Sequence, residues 1–161
     1  MTTSAKRTVK VRSLGDANKM VPYLKSLSKS IEETWQSVID TRNEYMEALN
    51  IFERKKATRQ KIEISFQTSM EMLKEKIGRL VAKCNDLNQE AEDLGIYIEQ
   101  YSNGSIKIPS YYNGKMVFLS YNHTEDLISR WFDFGEDSDH SSLIRNGDER
   151  AFTGVAVERG H

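Results

Sequence analysis

The sequence predicts an α+β protein in which a long antiparallel helical hairpin, similar to a coiled coil, stands on a small antiparallel sheet of three to four strands. Apolar residues recur at alternating steps of three and four through residues 20–52, and again through residues 62–94. This spacing is typical of one face of a helix in a coiled coil. From Gly95 onward the apolar period changes to two, and the dipeptides Asn103-Gly104 and Asn113-Gly114 supply hairpin turn signals.

The basic stretch ERKKATRQK at residues 53–61 joins the two helical segments, and its sequence leaves two arrangements open. Because it holds no Gly or Pro, one helix could run through it and pair with another chain. Successive polar positions on the apolar seam favour a solvent-exposed hairpin tip instead. We expect a helical turn over residues 14–20 with Ser13 as its cap, the long helix from about residue 21, and a stop at Gly95.

The strands are expected within residues 96–121, and residues 7–12 alternate in the same way and could add one more. Residues 123–134 predict either a short helix or a last strand that covers the sheet. From residue 135 onward the composition is polar, which favours an irregular or partly disordered tail. The expected organisation is therefore one domain over residues 1–134 and a tail over residues 135–161.

Charge and composition exclude several classes of protein. The 161 residues include 23 Lys and Arg against 24 Asp and Glu, so a net charge of −1 points to no nucleic acid or membrane. A single cysteine, Cys84, allows no intrachain disulfide and fits a reducing compartment. No apolar run approaches the roughly 18 residues of a membrane span, and the N-terminus lacks an apolar signal region. We therefore expect a cytoplasmic protein without a membrane partner.

No catalytic or cofactor motif is present, so we expect a protein that is not an enzyme and binds no cofactor. The sequence lacks the glycine-rich phosphate and dinucleotide motifs and the nucleophile elbow. The strongest candidate for metal chemistry is one acidic loop, because hard carboxylates bind Ca²⁺ or Mg²⁺. Its spacing is not that of an EF-hand, so its residues are weak candidates for a metal-dependent protein: Glu136, Asp137, Asp139 and His140.

The leading hypothesis is a protein–protein interaction module that self-associates through the helical seam or through a tyrosine-rich sheet face. Five of the seven tyrosines lie between residues 97 and 121, and tyrosine gives rigid contact area with a polar tip. Arg42 stands in the helical seam, where a charged residue tends to fix register. We expect it to pair with Glu71 or Glu75. The candidate interaction residues are Trp35, Arg42, Tyr111, Tyr112, Tyr121 and Trp131.

A nucleic-acid-binding protein is the alternative hypothesis, because the stretch between the helices concentrates positive charge. Lysine and arginine bind phosphates and release counterions from nucleic acids. No aromatic residue is interleaved for base stacking, so the charge run is equally typical of a solvated helix face. The residues that carry this alternative are Arg54, Lys55, Lys56, Arg59 and Lys61.

Two stretches, SLGDANKMVPYLKSL at 13–27 and DLGIYIEQYSNGSIKIPSYYNGKMVFLSY at 93–121, carry a resemblance to a known family. With Glu125, Ile128 and Trp131, they resemble the bacterial family called domain of unknown function 2203, over about residues 12–134. The other matching residues are Ala17, Asn18, Pro22, Leu24, Leu94, Gly95, Gly104, Ile106, Pro109, Gly114, Val117 and Leu119.

The chain departs from the family pattern where reactive side chains would stand. Ser120-Tyr121 replaces the Cys-Trp that the family tends to have, and Phe132 replaces the histidine that follows Trp131. Chemistry based on cysteine or histidine at those positions is therefore not expected here. The resemblance implies the architecture and no activity.

Overall fold

Two long helices precede an antiparallel sheet in the computed structural model, which describes residues 8–154 and 156–158. The described helices are α1 (Leu14–Lys19), α2 (Val21–Ala57) and α3 (Ile64–Asp93). The strands are β1 (Thr8–Lys10), β2 (Tyr97–Gln100), β3 (Ser105–Tyr112), β4 (Lys115–Tyr121), β5 (Arg130–Asp133), β6 (Ser142–Leu143), β7 (Phe152–Thr153) and β8 (Ala156–Glu158). Two single 3-10 turns cover Ser138–His140 and Glu149–Ala151. The α+β class is confirmed.

The helices begin and end where their capping residues predict. The Ser13 side chain accepts a hydrogen bond of 3.1 Å from the Asp16 amide and caps α1. Pro22 lies in the first turn of α2, where its missing N–H leaves no intrahelical bond unmade. After α3, Gly95 adopts a positive φ of 73° and turns the chain into the sheet.

The segment between the long helices is a turn in this structure, with α2 ending at Ala57 and α3 beginning at Ile64. Arg59, at a positive φ of 59°, reverses the chain without a glycine. Near the sheet the Tyr23 hydroxyl of α2 donates a hydrogen bond to Glu90 of α3. At the far end, the Lys55 ammonium lies 5.5 Å from the ring centre of Phe66. The two helices therefore run side by side in opposite directions.

The main sheet has six strands rather than the three to four that the sequence predicts. Its order is β2-β3-β4-β5-β6, and β7 pairs with the far end of β3. Asn113 and Gly114 both adopt positive φ and form the tight turn between β3 and β4. Between the sections of β3 that pair with β2 and β7, the Arg12 amide donates to the Pro109 carbonyl at 3.0 Å. Three short segments thus cover the edge of β3 opposite β4.

The structure decides two points that the sequence left open. Residues 8–10 form a strand, but β1 pairs with β8 in a separate two-stranded sheet, because β2 and β7 already occupy the available edge of β3. The segment 123–134 supplies β5, a strand and not a helix. The described part of the polar stretch after residue 134 also carries secondary structure, and Phe152, only 2% exposed, belongs to the core.

The core lies between the sheet and the sheet-proximal parts of the helices. Each strand of an antiparallel sheet presents alternate residues to one face, so β3 and β4 send every second side chain inward. The buried core residues are Leu14, Ala17, Val21, Leu24, Leu27, Ile31, Ala91, Ile96, Ile106, Ile108, Val117, Leu119, Tyr121, Ile128 and Phe152. We call this sheet-covered part of the molecule the base.

Candidate interaction surface

Ser28 anchors α2 to the loops of the sheet. It is fully buried, and its hydroxyl donates 2.7 Å to the Gly104 carbonyl while accepting 3.0 Å from the His123 amide. A Cβ at Gly104 would lie 2.2 Å from the Ser28 carbonyl oxygen, so only glycine permits this approach. The β2–β3 turn and the loop after β4 therefore both depend on one serine.

Two more side chains fix the same loops. The Asn18 amide oxygen accepts 2.9 Å from the Ile128 backbone N–H, which ties α1 to the chain before β5. The His123 ring Nε2 lies 2.9 Å from a Glu32 carboxylate oxygen of α2. These hydrogen bonds are internal to the base, where they hold the loops of the sheet against α1 and α2.

The predicted tyrosine face is not assembled in this structure. Tyr121 is fully buried and its hydroxyl donates to the Glu125 carbonyl. Tyr112 stacks on Trp131 with ring centres 4.9 Å apart and on Phe152 at 4.8 Å, against the core. Tyr111, the preceding residue on the strand, points to the opposite face. Packing against Phe152 of the C-terminal segment accounts for Tyr112, and the three rings share no common surface.

Trp35 is half-buried at the base of the helical pair. Its ring lies 5.5 Å from that of Tyr101, which follows β2. Burial, with smaller contributions from Cys84 and Glu92, raises the pKa of Tyr101 above its ordinary value. The indole thus helps to seat α2 against the sheet, and only part of it faces solvent.

The outer face of the sheet carries an aromatic pair that sequence reasoning missed. Phe134 is 56% exposed and stacks on Phe118 with ring centres 4.6 Å apart. The Lys107 ammonium lies 4.6 Å from the centre of the Phe118 ring. The register that pairs Pro109 with Phe118 places these groups on the face away from the helices.

Burial along the helical pair stops abruptly. The last buried residue of α2 is Thr41, and the first of α3 is Cys84. Among the described residues, none in 42–57 or 64–83 is buried. We call these two stretches, with the turn between them, the arm. Its seam residues are only half-buried: Tyr45, Leu49, Phe52, Phe66, Met70, Leu73, Ile77 and Leu80.

The position of Arg42 corrects one expectation. Its side chain is exposed, and within the described residues no ion pair joins it to Glu71 or Glu75. Thr41, only 2% exposed, occupies the seam instead. A step of three from Val38 to Thr41 and of four from Thr41 to Tyr45 stays on one side of the helix, so Thr41 and not Arg42 is the inward residue.

Grooves line one side of the arm. One, of about 520 Å³, is lined by residues of both helices: Glu44, Ser69, Met72, Leu73, Glu75, Lys76 and Arg79. Another, of about 350 Å³, lies at the turn and is lined by Ile51, Arg54, Lys55, Thr58 and Gln60. Met72 is 63% exposed and Ile51 37%, although both are large apolar residues. Apolar residues that lie off the seam, such as Met72 and Ile51, are the feature of the sequence from which this exposed apolar surface could have been recognised.

The basic residues of the nucleic-acid hypothesis surround the turn of the arm. Arg54, Lys56, Arg59 and Lys61 are exposed, while Lys55 is half-buried over Phe66. Arg54, Lys55 and Lys56 lie in the last turn of α2, where cations complement the helix dipole. The cluster is brought together as predicted, and its binding function stays a prediction.

The acidic loop is organised by hydrogen bonds among its own residues. Asp137 accepts 3.1 Å from the Asp139 amide and lies 2.8 Å from His140 Nδ1, while Glu136 lies 3.6 Å from the same nitrogen. The hydrogen bond with His140 lowers the pKa of Asp137, and the same bond raises the pKa of His140. Across the described ranges, no cluster of three or more His, Cys, Asp or Glu is arranged to hold a metal ion.

Two remaining features carry no site. Cys84 is buried, and burial raises the pKa of its thiol above the ordinary value, which disfavours the reactive thiolate. None of the helices described here combines the length and the apolarity needed to cross a membrane.

These observations define an α+β protein in which a sheet-covered base carries a projecting pair of helices without a core of its own. By comparison with family models, the chain belongs to the family described as "Uncharacterized conserved protein (DUF2203)", whose model matches residues 10–137. The resemblance seen in the sequence is thereby confirmed. No curated protein and no solved structure matches the chain. Because the family description states no activity, function must be argued from the surface.

Proposed function

We propose that the protein is a non-enzymatic, self-associating interaction module, and that the arm is its binding surface. The observation that carries the proposal is the absence of any buried residue in 42–57 and 64–83, within the described chain. Most helical stability in proteins comes from packing of an apolar face, and an isolated helix is marginal in water. A coiled-coil-like seam that is half-buried within one chain gains stability when a further surface covers it.

Exposed apolar side chains support the same conclusion. Met46 is 44% exposed, Met72 63% and Val81 43%, all within the arm. Methionine adapts to irregular surfaces, so it is common where proteins dock on one another. The base shows a contrast, because Tyr112 and Tyr121 are used inside the fold. We therefore take the arm, rather than these tyrosines, as the surface for a partner.

Sedimentation velocity over a wide concentration range tests this proposal. We expect the mass to rise with concentration, and Met72→Glu to shift the protein toward the monomer because a charge in the contact must be desolvated. Leu127→Glu is the matched control, since Leu127 is 58% exposed on the base. A wild-type protein that stays monomeric throughout overturns self-association.

Nucleic-acid binding by the turn of the arm is the second candidate, favoured by the cationic groove that Arg54 and Lys55 line. It predicts affinity that falls steeply with salt, because each phosphate contact releases counterions. Fluorescence anisotropy with labelled duplex and single-stranded DNA and RNA tests it. The absence of any anisotropy change at low salt removes this candidate. The predicted cytoplasmic location is compatible with both functions, and immunofluorescence would test it.

A further inference from the structure

We propose that the partner of the arm is a second copy of this chain, docked antiparallel on the grooved side so that the turn of each arm lies beside the middle of α2 of the other. This inference rests on the proposed function and adds the partner, the side and the direction. Three observations carry it: one stripe of residues along α2, the distribution of charge along the arm, and the groove between the helices.

The stripe follows one side of α2 from the base to the turn. Its positions are separated by three or four residues, which keeps them on one side of a helix. Toward the base it is acidic and at the turn it is basic, with a small and an apolar residue between. Its members are Glu33, Ser37, Asp40, Glu44, Ala48, Ile51 and Lys55. Glu44 lines the larger groove, and Ile51 and Lys55 line the smaller one.

Charge opposes any docking that brings two turns together. Residues 53–63 hold five basic and two acidic side chains, whereas residues 30–47 hold five acidic and one basic. Residues 84–93 hold four acids and no base. Two arms in parallel would place like charges together, and two in antiparallel place each turn beside acids. A second copy is thus electrostatically complementary in one direction only.

The groove is suited to two-fold symmetry. Two carboxylates, Glu44 and Glu75, face two cations, Lys76 and Arg79, so its charge is balanced. A two-fold contact uses the same patch on both copies and requires such self-complementarity. Met72 projects beside the groove and can enter the equivalent groove of the second copy. The small side chain of Ala48 lies between the acidic and the basic ends of the stripe, where the two copies of α2 would approach most closely.

The axis of symmetry follows from the numbering of the stripe. If Ala48 lies at the axis, Lys55 of one copy comes level with Asp40 of the other, since the two residues lie seven and eight positions from it. Two helices, each about 10 Å wide and about 30 Å long from Val38 to Ala57, offer about 600 Å² per copy. The total of about 1,200 Å² reaches the lower bound of specific interfaces.

Charge reversal tests the side and the direction together. Asp40→Lys and Lys55→Glu should each weaken dimerisation about tenfold, because each creates two symmetric like-charge contacts. The double variant D40K/K55E should recover the wild-type dissociation constant, since opposite charges again face each other. Arg42→Glu and Glu53→Lys are matched controls, because they stand at the same height on the opposite side of α2. Weakening by these controls, or no recovery in the double variant, overturns the proposal.

Disulfide trapping separates this proposal from the proposed function. In a Cys84→Ala background, Ala48→Cys should form an interchain disulfide with oxidised glutathione, whereas Thr58→Cys at the turn should not. A dimer that traps through Thr58→Cys keeps self-association and overturns the antiparallel arrangement. A wild-type protein that is monomeric in sedimentation overturns both self-association and the antiparallel arrangement. If that monomer binds nucleic acid, the turn of the arm is a nucleic-acid-binding site instead.

Discussion

The base and the arm are built from the same two helices, yet they are stabilised in different ways. In the base, α2 rests on the sheet and buries eight residues between Val21 and Thr41. In the arm the same helix continues for sixteen residues, from 42 to 57, with no residue buried. Mean apolar content is therefore a poor guide to where a core lies. What differs is the presence of a second layer to cover the seam.

Glycine substitutions should show the sharpest difference between the two regions. Gly104→Ala in the base combines a positive φ of 73° with a Cβ 2.2 Å from the Ser28 carbonyl oxygen. We expect a loss of about 4 kcal/mol in the free energy of unfolding, from left-handed strain and overpacking together. Gly78→Ala in the arm meets nothing within 4 Å and should stabilise by about 0.5–1 kcal/mol.

Urea denaturation of both glycine variants, followed by circular dichroism, measures these values. The control within the sheet is Gly114→Ala, which shares the positive φ but has no neighbour within 4 Å. It should lose only about 1–2 kcal/mol. Equal losses in Gly104→Ala and Gly114→Ala would mean that the close approach to Ser28 contributes nothing.

Leucine truncation gives the next largest contrast. Leu24 is fully buried in the base, so Leu24→Ala should cost about 3 kcal/mol through lost burial and an unfilled cavity. Leu49 lies on the same seam but is half-buried in the arm. Leu49→Ala should therefore cost about 1 kcal/mol in the free energy of unfolding at low protein concentration. Unfolding of both variants should be followed at low and at high protein concentration. Self-association would increase the loss of stability in Leu49→Ala with concentration and leave that of Leu24→Ala unchanged. A larger cost at Leu49 in dilute solution would place a core in the arm.

Removal of a single hydroxyl should also distinguish the regions. Ser28→Ala leaves the Gly104 carbonyl and the His123 amide without their partner in a buried site, and we expect a loss of about 2 kcal/mol. The matched control is Ser26→Ala, on the exposed side of the same helix, which should change stability by less than about 0.5 kcal/mol. If the two variants were equally stable, Ser28 would not anchor the sheet loops.

The sequence predicts the helices and the tight turns because those signals are local. The seam spacing, Pro22 and Gly95 locate both long helices to within a few residues of their observed bounds. The short strands β6 and β7 are not predicted, because a strand of two residues has no period to detect. Phe152 is an apolar residue of this stretch, with Leu143 and Ile144, and its burial depends on Tyr112 and Trp131, which lie far away in sequence.

The surface was less predictable than the fold, for a physical reason. Exposure depends on which layer covers a residue, and no local pattern carries that information. Tyr121 and Met72 illustrate this: the tyrosine proposed as a contact is fully buried, whereas the methionine that passed unnoticed is 63% exposed. Ser28 lies 76 residues from Gly104 in sequence, so its role as a hydrogen-bond centre could be recognised only in three dimensions.

The smallest expected effect concerns the contact that closes the helical pair at the base. Burial, followed by the hydrogen bond to Glu90 and the charge of Glu90, raises the pKa of Tyr23 to about 12 from its ordinary value of 10.0. Because the folded state favours the neutral phenol, this contact contributes stability below pH 10 that is lost as the pH rises through about 12. Tyr23→Phe should therefore make the alkaline decline in stability shallower. Its effect near neutral pH should be small, since Tyr23 is 39% exposed.

Absorbance of tyrosinate during an alkaline titration, with urea denaturation at each pH, provides the measurement. Glu90→Gln is the informative control, because it keeps a hydrogen-bond acceptor for Tyr23 and removes only the charge. It should lower the pKa of Tyr23 without abolishing the shift, since burial is the largest cause. If the stability of Tyr23→Phe fell as steeply as that of the wild type between pH 10 and 12, the contact between α2 and α3 at the base would not be coupled to folding. Closure of the helical pair would then depend on the buried seam beneath Thr41 and Cys84 alone.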